Sequence, residues 1–171
     1  MNYALSVITK EEPSEDSISE LLSHYRLKDE WDNETRLDGW CIGGIYTGNL
    51  RTKEGNEVDF ARISEIDFRN EMSVQEYIEK NPSIVDKYND SIKNGDGLNS
   101  IYFLKKRYPT LESYVIHWKI WATFALLDEN GVWHEREGSS IDDEIEWESN
   151  FYDTFIKGKD NYWLTLVACH R

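Results

Sequence analysis

Residues 38–50 read Asp-Gly-Trp-Cys-Ile-Gly-Gly-Ile-Tyr-Thr-Gly-Asn-Leu, and this stretch constrains the chain more than any other. β-Branched and aromatic residues stand between its glycines, which favours extended backbone. A strand is therefore expected from Gly39 to Leu50. Paired glycines inside such a run mark a bulge, or a place where another backbone comes close.

The ends of the chain also read as strands. In residues 2–9, Tyr3, Leu5 and Val7 fall on one face and Ala4, Ser6 and Ile8 on the other. In residues 162–169, Leu164, Leu166 and Ala168 oppose Trp163, Val167 and Cys169. A helix is expected from Ser14 to Tyr25, where Ile18, Leu21, Leu22 and Tyr25 form one apolar stripe. Asp128-Glu129-Asn130-Gly131 is a hairpin signal between strands ending at Leu127 and starting at Val132. Residues 113–127 could begin as helix, but at least Trp121 to Leu127 should be strand. Ser140 caps a further helix from about Ile141 to Ile156, with Ile145, Tyr152 and Phe155 as its stripe, widened by Phe151 and Ile156. Residues 58–66 suit either a short strand or a helical turn.

Between these elements, residues 70–108 read as a helical insertion of three short helices. Ser73 with Glu76 starts the first, Asn81-Pro82 separates it from the second, and Pro109 closes the third. Without the insertion the order approaches βαββαβ. The expected fold is thus α+β: one domain over residues 1–171, ferredoxin-like, with an antiparallel sheet of four to five strands and helices on one face.

Charge narrows the function classes. The formal net charge is −14, so broad binding to phosphate is disfavoured and no direct nucleic-acid contact is expected. Two acidic segments stand out. One is the loop with Asp29, Glu30, Asp32, Glu34 and Asp38, which holds Trp31 at its centre. The other is the start of the last helix, with Asp142, Asp143, Glu144, Glu146 and Glu148. Each could be a solvated surface, and acidic residues also suit a helix N-terminus. Each could equally imitate a row of phosphates and press onto a basic groove, with Trp31 as an anchor. The imitation gains if the two segments share one side of the molecule.

Little else suggests chemistry. His24, His117, His134 and His170 are dispersed, and no metal-binding spacing is present, so neither metal nor cofactor is expected. Cys169 and His170 are neighbours on a strand and point to opposite faces, which spoils a nucleophile pair. Cys41 and Cys169 read as small apolar groups in a reducing cytoplasm. The start, Met-Asn-Tyr, shows no signal peptide, and no apolar run has membrane-spanning length.

Four pieces of the sequence carry a resemblance. They are residues 38–44 (Asp-Gly-Trp-Cys-Ile-Gly-Gly), residues 124–135 with Asn-Gly-Val-Trp-His-Glu at their end, the helix around 147–155, and residues 164–170 (Leu-Thr-Leu-Val-Ala-Cys-His). Together they resemble a loosely defined group of uncharacterised phage and prophage proteins. That group has Arg-Trp after its Gly-Gly and Asp before its Cys-His, where this chain has Ile45-Tyr46 and Ala168. The resemblance implies a mobile-element setting. The expected function is a non-enzymatic inhibitor of a bacterial defence complex, of the anti-CRISPR sort, acting in the host cytoplasm. Its partner would be a defence protein or nucleoprotein, reached through Asp29, Glu30, Trp31, Asp32, Glu34, Asp142, Asp143, Glu144 and Glu146. The alternative is a module for a small nucleotide-like ligand, held by Trp40, Gly43, Gly44 and Tyr46. A third reading, an enzyme of unrecognised type, needs a pocket that holds a histidine within reach of a carboxylate.

Overall fold

The computed structural model describes residues 1–26 and 36–171. β1 (Asn2–Thr9) and β8 (Trp163–His170) form the centre of the sheet and pair antiparallel along their whole length, Asn2 opposite His170 and Thr9 opposite Trp163. Strand alternation follows the sequence, and both faces of this pair are buried. β2 (Gly39–Ile42) runs antiparallel along the other edge of β8. β6 (Ala125–Leu127) lies parallel to β1, and β7 (Trp133–Glu135) returns antiparallel along β6. The order is β2-β8-β1-β6-β7. β5 (Phe60–Arg62) pairs with the start of β8 and completes six strands.

The class is α+β with a mostly antiparallel sheet, but the arrangement departs from the expected plan. In βαββαβ the second strand would sit on the hairpin side. Here β2 joins β8, on the opposite side of β1, and β1 gains a parallel neighbour in β6. Two parallel crossovers result: β1 to β2 through α1 (Glu15–Ser23), and β7 to β8 through α6 (Ile141–Phe151). Relative to strand direction, the two crossovers move across the sheet in opposite senses. If they share one handedness, their helices must cover opposite faces. Ile18 and Leu22 of α1 indeed pack on Tyr3, Leu5, Val7, Leu127 and Val167. Phe151 and the turn residue Ile156 pack on Ile8, Leu126, Leu164 and Leu166. The expectation of helices on one face is therefore corrected to helices on both.

The small residues of β1 have their explanation here. Ala4 and Ser6 lie on the α6 side, where large aromatics fill the space. The buried Ser6 hydroxyl accepts a hydrogen bond from Thr123 (2.9 Å). The expected stripe holds at Phe151, Tyr152, Phe155 and Ile156 and fails at Ile145. Ile145 is exposed, whereas Trp147, Phe151 and Phe155 stack at 5.5–5.7 Å between ring centroids. Trp147 also donates its indole N–H to the Thr123 carbonyl (2.8 Å).

The strand expected over Gly39–Leu50 stops at Ile42. Gly43 and Gly44 both take positive φ, and the chain turns off the sheet edge into a 3-10 turn, Gly44–Tyr46. The Gly43 N–H still donates to the Leu166 carbonyl, and the Leu166 N–H donates to Asp59, each at 2.8 Å. The excursion in between holds β3 (Leu50–Arg51) and β4 (Glu57–Val58), a two-stranded ribbon of its own. β5 then resumes the edge that β2 left. A Cβ on Gly44 would lie 2.6 Å from the Cys41 Sγ and 2.8 Å from the Ala168 Cβ. Gly44→Ala should therefore cost about 2–4 kcal/mol, from the left-handed backbone and the overlap together. The shift in urea midpoint measures it, and a change within error would mean that the break tolerates a side chain.

The insertion is longer than expected. α2 (Val74–Lys80), α3 (Ser83–Asn94) and α4 (Ile101–Arg107) match the three expected helices. A fourth, α5 (Leu111–Lys119), is started by a reciprocal cap between Thr110 and Ser113. It fits the helical start allowed for residues 113–127, while the strand expected from Trp121 begins only at Ala125. Tyr77, Ile84, Tyr114 and Val115 give the insertion a small core of its own. Residues 58–66 divide between β5 and a 3-10 turn, Ile63–Glu65, so both expected forms occur.

Candidate functional site

β7 ends the strand order, and its far side opens onto a broad cleft of about 910 Å³. The strand and the loop after it supply Trp133, His134, Glu135, Arg136 and Glu137; α6 supplies Asp143, Glu146, Trp147 and Asn150 from one side; Arg36 closes the other. β7 is short because the Asn130-Gly131 turn ties it to β6. Asp128 Oδ1 accepts from the backbone N–H groups of Asn130 (2.9 Å) and Val132 (3.0 Å), and Gly131 takes positive φ.

His134 faces α6, stacked 4.8 Å from Phe155, and its Nε2 lies 2.9 Å from Asp128 Oδ2. Burial alone would raise the Asp128 carboxyl. Hydrogen bonds from His134 and from the two turn amides outweigh that and hold it below the usual carboxylate range. A histidine and a carboxylate within reach beside a cleft is the feature an enzyme reading asked for. Yet both Asp128 oxygens are engaged in closing the hairpin, so the pair locks the turn. His117 and His170 are held likewise, by Glu148 (3.0 Å) and Asp38 (2.8 Å).

The acidic start of α6 divides in two. Asp143 accepts from the Ser140 N–H (2.9 Å) and hydroxyl (2.6 Å), which caps the helix and holds its carboxyl low. Glu144 bridges Arg107 (3.3 Å) and Arg136 (2.8 Å). Glu148 takes Arg107 at 2.7 Å. Arg107 is only 4% exposed, stacks on the Tyr108 ring and joins the insertion to α6. Burial would raise Glu148, but His117 and Arg107 overcome this and hold it low. Asp142 and Glu146 remain exposed. Of the four α6 residues expected to meet a partner, Asp142, Asp143 and Glu146 keep an outward carboxylate or line the cleft. Glu144 is about a third exposed and paired with two arginines, so its charge is not free in the way the other three are.

Asp29, Glu30, Trp31, Asp32 and Glu34 lie outside the described residues. The residues that flank them are placed. The Arg36 N–H donates to the Tyr25 carbonyl (2.9 Å), and its guanidinium reaches Glu135 at 3.6 Å, at the cleft wall. Arg36 thus stands at the cleft that Asp143 and Glu146 also line.

The residues of the alternative ligand site do not converge. Trp40 packs with the α1 cluster and Tyr46 with the α6 cluster, on opposite sides of the sheet. The Gly43-Gly44 backbone between them is spent on the turn. The glycine break brings together the two departures from the resembled group. Gly44 abuts Ala168, and Ile45 beside it is 69% exposed.

Sequence reasoning missed Arg107 and its network. Lys105-Lys106-Arg107 was legible as a basic helix end, but nothing in it marks the third cation as buried. No helix among the described residues is long and apolar enough to cross a membrane, and no three His, Cys, Asp or Glu side chains there group as metal ligands. The fold and cleft define a class: a three-layer α+β protein with an acidic cleft on one open sheet edge. No family model, curated protein or solved structure matches the chain.

Proposed function

We propose that this chain is a non-enzymatic interaction protein that inhibits a nucleic-acid-directed defence complex of a bacterial host by occupying a basic groove. The observation that carries the reading is the meeting of acidic groups along one cleft. Glu135, Glu137, Asp143 and Glu146 line it. A groove built for phosphates would be attracted to that face, and the excess negative charge of the whole chain would steer the encounter. The pairing of three histidines with structural carboxylates supports a protein that binds rather than reacts. The mobile-element setting rests on the four resembling motifs.

The test is direct binding to a panel of purified defence effectors, with and without their nucleic acid. A cognate effector should bind, nucleic acid should compete, and raising salt from about 50 to about 200 mM should weaken binding on the order of tenfold. Charge reversal at Glu137→Lys and Glu146→Lys together should weaken it by a similar factor while the melting temperature holds. Binding that ignores both nucleic acid and charge reversal would overturn the proposal.

A further inference from the structure

We infer that the β7 edge takes up an extended basic segment of the partner as an additional strand. This rests on the cleft being the binding face and names how the partner is held there. The Asp128 N–H donates to the Val132 carbonyl at 3.0 Å, which makes these two a hydrogen-bonded pair of the β6–β7 ladder. Antiparallel ladders alternate, so Leu126 and His134 form the next such pair. The backbone N–H and C=O of Trp133 and Glu135 therefore face away from β6. Among the described residues they have no hydrogen-bond partner, and the cleft lies alongside them. Two donors and two acceptors in strand geometry are what an incoming strand requires.

Charge selects the occupant. A strand seated beside β7 would turn alternate side chains toward α6, where Glu146 and Asp143 wait, with Glu137 beyond the end of β7. The Arg36 and Arg136 charges at the same cleft are already matched by Glu135 and Glu144. Lysine or arginine at every second position fits; an acidic strand would be repelled. Trp133 and Glu135 face the opposite side, joined by an indole N–H bond of 3.1 Å, and offer a polar-aromatic wall to the other alternate positions.

The probe is an acetylated, amidated peptide of three Lys-Val repeats, followed by amide shifts of the full chain in NMR and by titration. A second copy carries N-methyl groups on alternate residues, which keeps the charge and removes one hydrogen-bonding edge. The unmodified peptide should bind with its largest shifts at Trp133 and Glu135, and the methylated one about tenfold more weakly. Glu135→Pro and Glu135→Ala both remove the carboxylate, but only the proline also removes an outward N–H that β6 does not use, so Glu135→Pro should bind about tenfold more weakly than Glu135→Ala. Equal binding of the two peptides, or Glu135→Pro matching Glu135→Ala, would overturn strand addition and leave the electrostatic reading of the cleft intact. No binding of either peptide would also overturn strand addition, and the effector panel then judges the cleft separately.

Discussion

Arg107→Leu is expected to destabilise the protein by about 3–5 kcal/mol, read as the shift of its urea midpoint. The guanidinium is 4% exposed and lies between Glu148 at 2.7 Å and Glu144 at 3.3 Å. Removing one member of a buried ion group leaves the others desolvated without compensation, which costs more than the group contributed. Glu144 keeps Arg136, so the main loss falls on Glu148, which retains only His117. Changing Glu148 to leucine as well should recover much of the loss, because no bare charge remains. The sign with pH follows from the same groups. Glu148 and Asp128 are held below their ordinary values, so their contribution is present above about pH 4 and lost as pH falls through the lowered folded values. In Arg107→Leu, His117 still holds Glu148 down but the Arg107 contribution is gone, so Glu148 moves up from its parent position. Its protonation then relieves the variant, and the gap from the parent should narrow in acid. A gap that stays constant from neutral to acid pH would place the cost in packing around Tyr108 instead.

The parts of this fold that sequence reveals are those set by local periodicity. The alternation in residues 2–9 and 162–169, the cap at Ser14, the Asn130-Gly131 turn and the capped helices of the insertion all follow from neighbours within a few residues. What sequence does not reveal is pairing. β2 could join the hairpin or β8 with the same pattern, and that choice moves α1 to the other face. α5 shows the same limit. Its composition leaves helix and strand open, and a Thr110–Ser113 cap and docking of Tyr114 and Val115 into the insertion core settle it as helix. At the site, the acidic character of Asp143 and Glu146 was legible because charge is a property of composition. The pairing of Glu144 was not, since its partners Arg107 and Arg136 stand 37 and 8 residues away on other elements.

Helices on opposite faces lead to an additive pair of large losses. Phe151→Ala should cost about 3–5 kcal/mol and Leu22→Ala about 2–5 kcal/mol, since both side chains are fully buried. Phe151 fills the α6 side, against Leu164, Leu166 and the rings of Trp147 and Phe155. Leu22 fills the α1 side, against Leu5, Val7 and Val167. For a chain of this size the phenylalanine change alone should lower the melting temperature on the order of 10 °C. The sheet lies between the two positions, so no side chain of one cluster touches the other cavity. The double variant should then lose the sum of the single losses to within about 0.5 kcal/mol. Had α1 and α6 shared one face, as in βαββαβ, the two truncations would open neighbouring space in a common layer, and relaxation into it would make them couple. A coupling well above that margin, measured by urea denaturation of the four proteins in the cycle, would therefore argue against the strand order and against the placement of the acidic cleft that depends on it.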